Sequence, residues 1–203
     1  MNKLNNKIMK KIFLTIALAI ITAFSFATNP HIDNVRVNAE NSTIKWMGSK
    51  VASSHEGTVT IQKGMLMIDH GDLVGGQFSI DMTSISNTDM EGRKKERLEW
   101  HLKNADFFDV EQFPLAMITI AKAEKGEGNF YKIVADLTIK GITHSVTFPA
   151  KVEINGLNFS ARAKIKIDRT KWDIKYGSNT FYDLGDRAIY NDFLLKFQLL
   201  PKD

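Results

Sequence analysis

The sequence predicts an all-β fold, an antiparallel eight-stranded barrel with one inserted α-helix at about residues 90–104. Three observations point there. Most of residues 43–200 alternate apolar and polar side chains with period two, the mark of strands with one buried face. The alternating segments are short, closely spaced and joined mostly by Gly-containing turns, which is the rhythm of a sandwich or barrel and not of βαβ units. Several run past ten residues, which suits the long tilted strands of a barrel.

Residues 1–27 read as a cleaved export signal, with Lys7, Lys10 and Lys11 before the apolar run Ile12 to Ile21 and a small-residue site at Ser25-Phe26-Ala27. Such a leader implies a periplasmic protein, and the apolar run is shorter than the ~20 residues of a spanning helix. Residues 28–42 read as an irregular lead-in, and 43–200 as the barrel domain. Strands are expected at Thr43 to Lys50, Ser54 to Gln62, Met65 to His70, Leu73 to Asp81, Leu115 to Ala123, Phe130 to Lys140, His144 to Ile154, Leu157 to Asp168 and Arg187 to Leu199. The last but one is the clearest, with Leu157, Phe159, Ala161, Ala163, Ile165 and Ile167 on one face. Asn155-Gly156 before it predicts a type I′ hairpin. Between Thr88 and Asn104 the period turns helical, with Leu98, His101, Leu102 and Ala105 on one side and Thr88 with Glu91 as a capping box. Residues 169–186 read as a long loop with a short turn.

Composition narrows the function. All the charge excess of +4 sits in the leader lysines Lys3, Lys7, Lys10 and Lys11, which leaves 23 basic against 23 acidic residues beyond it. No basic patch for nucleic acid is implied. The chain has no cysteine, so disulfides and cysteine acylation are excluded and stability must come from burial.

Motifs for chemistry are sparse. His31, His55, His70, His101 and His144 are scattered, and none forms a zinc-binding pattern. Gly126-Glu127-Gly128 has no helix after it and reads as a hairpin turn. Arg93-Lys94-Lys95-Glu96-Arg97 reads as a solvated helix face, with contact to a pyrophosphate or an anionic lipid headgroup as the alternative. No catalytic residue, metal site or cofactor is assigned.

The apolar faces carry more information. Trp46, Phe78, Ile80, Ile133, Leu137, Phe159, Ile165, Phe193 and Phe197 are expected inside, with the small residues Gly48, Gly57, Ala135, Ala161 and Ala163. A barrel of this size is either filled by its own side chains or holds one small ligand. The small inward residues fit a cavity; they equally fit a taper opposite the aromatics.

A set of local motifs resembles the YceI-like family. They are Trp46-Met47-Gly48-Ser49-Lys50, Ser54-His55-Glu56-Gly57-Thr58-Val59, and His101-Leu102-Lys103-Asn104-Ala105-Asp106-Phe107-Phe108-Asp109 with Pro114. Asp136-Leu137-Thr138-Ile139-Lys140-Gly141-Ile142-Thr143 and Ile189-Tyr190-Asn191-Asp192-Phe193 follow in the family's order. Ser53, Ala135 and Ser145 depart from the family's usual Gly, Gly and Pro.

The resemblance implies a lipocalin-like barrel enclosing a polyisoprenoid lipid, such as a polyprenyl phosphate or isoprenoid quinone, and a carrier, storage or protection role in the periplasm. A homodimer is expected from the resemblance alone. Lys94, Arg97, Arg169, Lys171 and Arg187 are candidate headgroup contacts by loop position. Two other readings stay open: a lipocalin-like enzyme acting on an apolar substrate, and an outer-membrane barrel with its apolar face outward.

Overall fold

A computed structural model of the chain describes residues 31–202; the expected leader at 1–27 lies outside the described residues. The strands are β1 (Ile32–Arg36), β2 (Thr43–Lys50), β3 (Ser53–Asp69), β4 (Asp72–Asn87), β5 (Leu115–Lys125), β6 (Phe130–Ile139), β7 (Ile142–Asn155), β8 (Asn158–Asp168) and β9 (Ile189–Leu199). One α-helix, α1 (Gly92–Lys103), lies between β4 and β5. Strands β2 to β9 each pair antiparallel with the next, and β9 returns to β2, closing an eight-stranded barrel.

The sequence period accounts for the wall. Along β6, Tyr131, Ile133, Ala135, Leu137 and Ile139 are all buried, while Phe130, Lys132 and Asp136 are exposed. Burying each large apolar side chain contributes ~1.5–3 kcal/mol, so a one-residue slip would turn this whole set to solvent.

Four local expectations are corrected. Residues 28–42 are not wholly irregular: β1 pairs with Met65–Asp69 of β3, beyond the stretch of β3 that β2 covers. Two valines, Val35 and Val37, are too short an alternation to announce it, and the available edge of β3 decides the matter. The segments expected at Ser54 to Gln62 and Met65 to His70 form one strand, continuous through Gly64, with register shifts against β4 that bend it around the barrel. The β7–β8 turn places Gly156 and Leu157 at its centre, with Asn155 paired to Asn158 and positive φ at Gly156, as in a type II′ turn. Leu157 is therefore exposed and not part of the inward face. Finally, Thr88 does not cap α1. Its hydroxyl donates to the Glu56 carbonyl, and Glu91 occupies the N-cap without a side-chain bond.

Candidate functional site

Helix α1 rests on the rim of the barrel through a carboxylate anchor. Glu99 accepts the Ser86 hydroxyl at 2.9 Å and the Asn87 backbone N–H at 2.7 Å, joining the helix to the end of β4. The fully buried Asn87 donates to the Glu56 carbonyl and to Asp89, and Asp89 also accepts from the Glu56 N–H and meets His55 Nδ1 at 2.9 Å. Burial opposes ionisation of Glu99 and Asp89, but their hydrogen bonds and the nearby cations outweigh it, so both sit below the ordinary carboxylate range.

The helix C-terminus folds its following residues back beneath it. The Phe108 N–H reaches the Leu102 carbonyl, and the Asn104 side chain accepts the Asp106 N–H in an Asx turn. Phe107 is thereby buried and packs on His101 and Tyr176, while Phe108 meets Phe193 edge-on. Leu98 and Leu102 stay half-buried and border a cavity.

That cavity is about 270 Å³. Its walls include Ile44, Trp46 and Gly48 of β2, Ile80, Met82 and Ile85 of β4, Leu137 and Ile139 of β6, and Phe193 and Leu195 of β9. Trp46 lies flat across Gly57, where any side chain would come within 2.5 Å of its ring, and its indole N–H donates to the Thr58 carbonyl. Gly57 is thus glycine because the Ser86 backbone carbonyl and the tryptophan ring together occupy its side-chain space. At the rim, Ser49, Lys50, His55, Tyr190 and Asp192 border the same space, beside a register shift between β2 and β9. A side chain starting from Gly48 would meet nothing within 4 Å.

Besides Lys50 and Asp192 at the rim, one buried charged group borders this space. Arg169, 4 % exposed, is the buried charged side chain among the described residues. It donates to the carbonyls of Ile174, Ile189 and Tyr190 at 2.6, 3.2 and 3.2 Å, and lies 5.7 Å from the Phe107 ring centre. Among the described residues it forms no salt bridge. A guanidinium has more N–H donors than these three carbonyls take up. Burial pushes its pKa down and the neighbouring Asp168 pushes it up, yet an arginine stays protonated. The wall therefore presents a buried positive charge.

A second, smaller space of about 50 Å³ lies further along the barrel, toward the hairpins, bordered by Leu66, Phe78, Ile133, Phe148, Ala161 and Phe197 among others.

The residues expected to line a ligand divide between the two. Trp46, Ile80, Leu137 and Phe193 border the large cavity. Phe78, Ile133, Ala161, Ala163, Ile165 and Phe197 border the small one, and Ala135 and Phe159 are buried against neither. Of the headgroup candidates, Arg169 borders the large cavity, while Lys94, Arg97, Lys171 and Arg187 are exposed and border neither. Sequence reasoning missed the lid residues Leu98, Leu102, Phe107 and Phe108 as cavity walls, although their helical period was a usable signal. His55 and Lys50 at the rim carried no signal separable from any surface residue.

Three further histidines are engaged locally: His70 with Asp69, His101 with Asp106, and His144 donating to the Lys171 carbonyl against the Trp172 ring. Among the described residues no three His, Cys, Asp or Glu gather in a way that could hold a metal ion. The outward positions of β8 and β9 carry exposed Arg162, Lys164, Lys166 and Lys196. A lipid-facing wall would suffer ~2–4 kcal/mol for each such charge at the bilayer midplane, so this polarity is opposite to that of an outer-membrane barrel.

The same architecture is found in solved structures. The chain matches the crystal structure of Burkholderia cenocepacia BcnA with a TM-score of 0.68 and 21% identity, covering 82% of this chain and 99% of that one. It matches a structure described as a polyisoprenoid binding domain from Saccharophagus degradans with a TM-score of 0.60 and 14% identity, over 86% and 99% of the two chains. Identities this low speak for the fold alone. Among curated proteins it is 33% identical over 92 residues to Protein YceI of Shigella flexneri, covering 41% of this chain and 47% of that protein. The match to the Salmonella arizonae Protein YceI is 32% over 98 residues, 44% and 51%. The chain thus spans about half the length of the curated relatives it matches. The model of the YceI-like domain matches residues 35–200, and the chain belongs to that family.

Proposed function

We propose that this protein binds a polyisoprenoid-type lipid, with the apolar tail in the large cavity and a polar or anionic head, phosphate or quinone oxygen, at Arg169. The observation that carries this reading is a cavity of about 270 Å³ with mostly apolar walls and one buried guanidinium that forms no salt bridge among the described residues. Each CH₂ buried contributes ~0.8 kcal/mol, so a few isoprene units offset the ~4–15 kcal/mol lost on association. The printed description of the Saccharophagus degradans neighbour as a polyisoprenoid binding domain supports the ligand class. Export through the leader at 1–27, a periplasmic carrier, storage or protection role, the absence of catalysis and of any cofactor beyond the lipid, and a homodimer belong to the same proposal.

The direct test is mass spectrometry of an organic extract of protein purified from its native host. A co-purifying prenyl phosphate or prenylquinone supports the reading; an extract empty of isoprenoids, with no uptake of added ones, overturns it.

The His55–Asp89 pair at the cavity rim favours one competing reading, an enzyme using that pair for general acid–base chemistry. Asp89 is already committed to Glu56 and Asn87, which suits an anchor better than a catalytic carboxylate. Recovery of an added lipid chemically unchanged, from wild type and His55→Ala alike, removes the enzyme reading.

A further inference from the structure

The outer side of the wall formed by β2, β9 and β8 is ordered in rows. Lys196 of β9 stands opposite Lys45 on one side and Lys164 on the other, and one row nearer the hairpins Arg162 stands opposite Lys151 of β7. Like charges in register across a sheet repel one another. Lys45, Lys164 and Lys196 form no salt bridge among the described residues, whereas Lys151 and Lys166 at the margins pair with Glu153 and Asp192. All five cations of the two rows are exposed and border one shallow groove that no Asp or Glu lines.

Toward the mouth of the barrel the same wall turns apolar. Leu194 stands between Met47 and Lys166 in the next row, and beyond it Val51 and Tyr190 are 48 % and 53 % exposed. Here the ladder is broken. Between the pairs Gly48–Phe193 and Lys50–Ile189, Ser49 alone faces the three residues Tyr190, Asn191 and Asp192, which leaves backbone groups without ladder partners. Ser49, Ile189, Tyr190 and Asp192 border both the large cavity and an outer groove lined by Met47, Val51 and Leu194. Only this broken stretch separates the lumen from that groove.

A bilayer surface matches both halves of the wall. Clustered cations meet anionic headgroups, and apolar and tyrosine side chains beside them sit at the interface, where attraction and burial add. A soluble polyanion would engage the cations and leave the apolar rows in water. We propose that the outer wall of β2, β9 and β8 is a docking surface for a membrane carrying anionic phospholipid, which sets the rim of the large cavity beside the bilayer. The docking does not depend on what the cavity binds.

The experiment measures flotation of protein purified from its native host with vesicles of phosphatidylcholine, alone or with about one third phosphatidylglycerol. Wild type binds the anionic vesicles, less so as salt is added, and does not bind the neutral ones. Each cation near an anionic surface strengthens binding about fivefold, so Lys164→Gln with Lys196→Gln weakens it about ten- to thirtyfold. The same charge change on the far wall, Lys122→Gln with Lys132→Gln, leaves binding within about twofold. Removing opposed like charges leaves the urea midpoint of the first pair equal or higher. The chain has no cysteine, so a polarity-sensitive fluorophore on Val51→Cys shifts to the blue on anionic vesicles, and one on Thr119→Cys of β5, across the barrel from β9, does not. Binding equal on neutral vesicles, or equally weakened by both lysine pairs, overturns the proposal. So does a dimer that the first pair dissociates without any vesicle binding, which makes the wall a contact between copies, and so does retention on heparin without vesicle binding, which makes it a polyanion site.

Discussion

At the hairpin end of the barrel, Phe78, Phe148 and Phe197 converge from β4, β7 and β9 and leave about 50 Å³. At the helix end, the inward positions of β4 and β9 carry Ile80, Met82 and Leu195, Trp46 and Phe193 stand in the wall with Phe107 and Phe108 beside the helix, and about 270 Å³ stays open. The hairpin end is also closed by polar groups: Tyr131 donates to Asp72, which Lys125 engages as well. The helix end has Arg169 in its wall instead. The difference shows that small inward residues do not by themselves make a lumen. Ala161 and Ala163 border the filled end, and Ala163 pairs directly with Phe197. Their smallness makes room for aromatic rings. The open space lies where aliphatic walls meet a helix that spans the rim without filling it.

The largest effect is expected at Phe159, which is 4 % exposed and borders neither space. Phe159→Ala should cost ~3–5 kcal/mol in urea unfolding. A loss under ~1 kcal/mol would mean that the hairpin end is not solid. Next is Arg169→Met, which removes the charge from the wall. A hydrogen bond to a charged group is worth ~1.5–3 kcal/mol, so farnesyl monophosphate affinity should fall about ten- to hundredfold while uptake of the headless hydrocarbon farnesene is unchanged. An equal loss for both ligands would show a general collapse of the cavity.

Overpacking separates the two ends at smaller cost. Ala161→Phe should lose ~1–3 kcal/mol of stability, since a ring does not fit the small space. Gly48→Phe enters open space and should change stability by less than ~1 kcal/mol, yet it should slow or block lipid uptake at the rim. Interchanged outcomes would place the lumen at the wrong end.

The smallest effect concerns the helix anchor. Glu99 and Asp89 have depressed pKa values in the folded chain. Their contribution is therefore complete above the unfolded value of about 4 and is lost as pH falls through the lower folded value. Amide exchange at the end of β4 and in α1 should accelerate as pH drops below about 4, after correction for intrinsic rates. The acceleration should be weaker in Glu99→Gln. An exchange pattern insensitive to that substitution would show that apolar contacts alone hold the lid.

Much of the fold was legible because period two needs only a strand's own neighbours to be read. The alternation in β6 and β8 named their buried faces, and the switch to a helical period located α1 to within two residues at its start. Errors arose where a partner made the decision. β1 exists because β3 runs on beyond β2, and the β7–β8 turn is centred one residue later than Asn155-Gly156 suggests because Asn155 completes a ladder pair. For the site, Arg169 was named with four other cations by loop position. Only the three carbonyls around it distinguish it from exposed Lys94, Arg97, Lys171 and Arg187.

The amino-acid sequence by itself determined an antiparallel barrel with an apolar inside, a charged outside and one helix between strands, since local periodicity sets which face of each strand avoids water. Where along that inside the chain leaves room was decided by tertiary structure alone. Whether a ring fills space depends on which residues meet it across the lumen. Phe78 against Gly64, Trp46 against Gly57, and Leu98 over an unfilled rim are pairings made by closure of the sheet, with no trace in the spacing of residues along the chain.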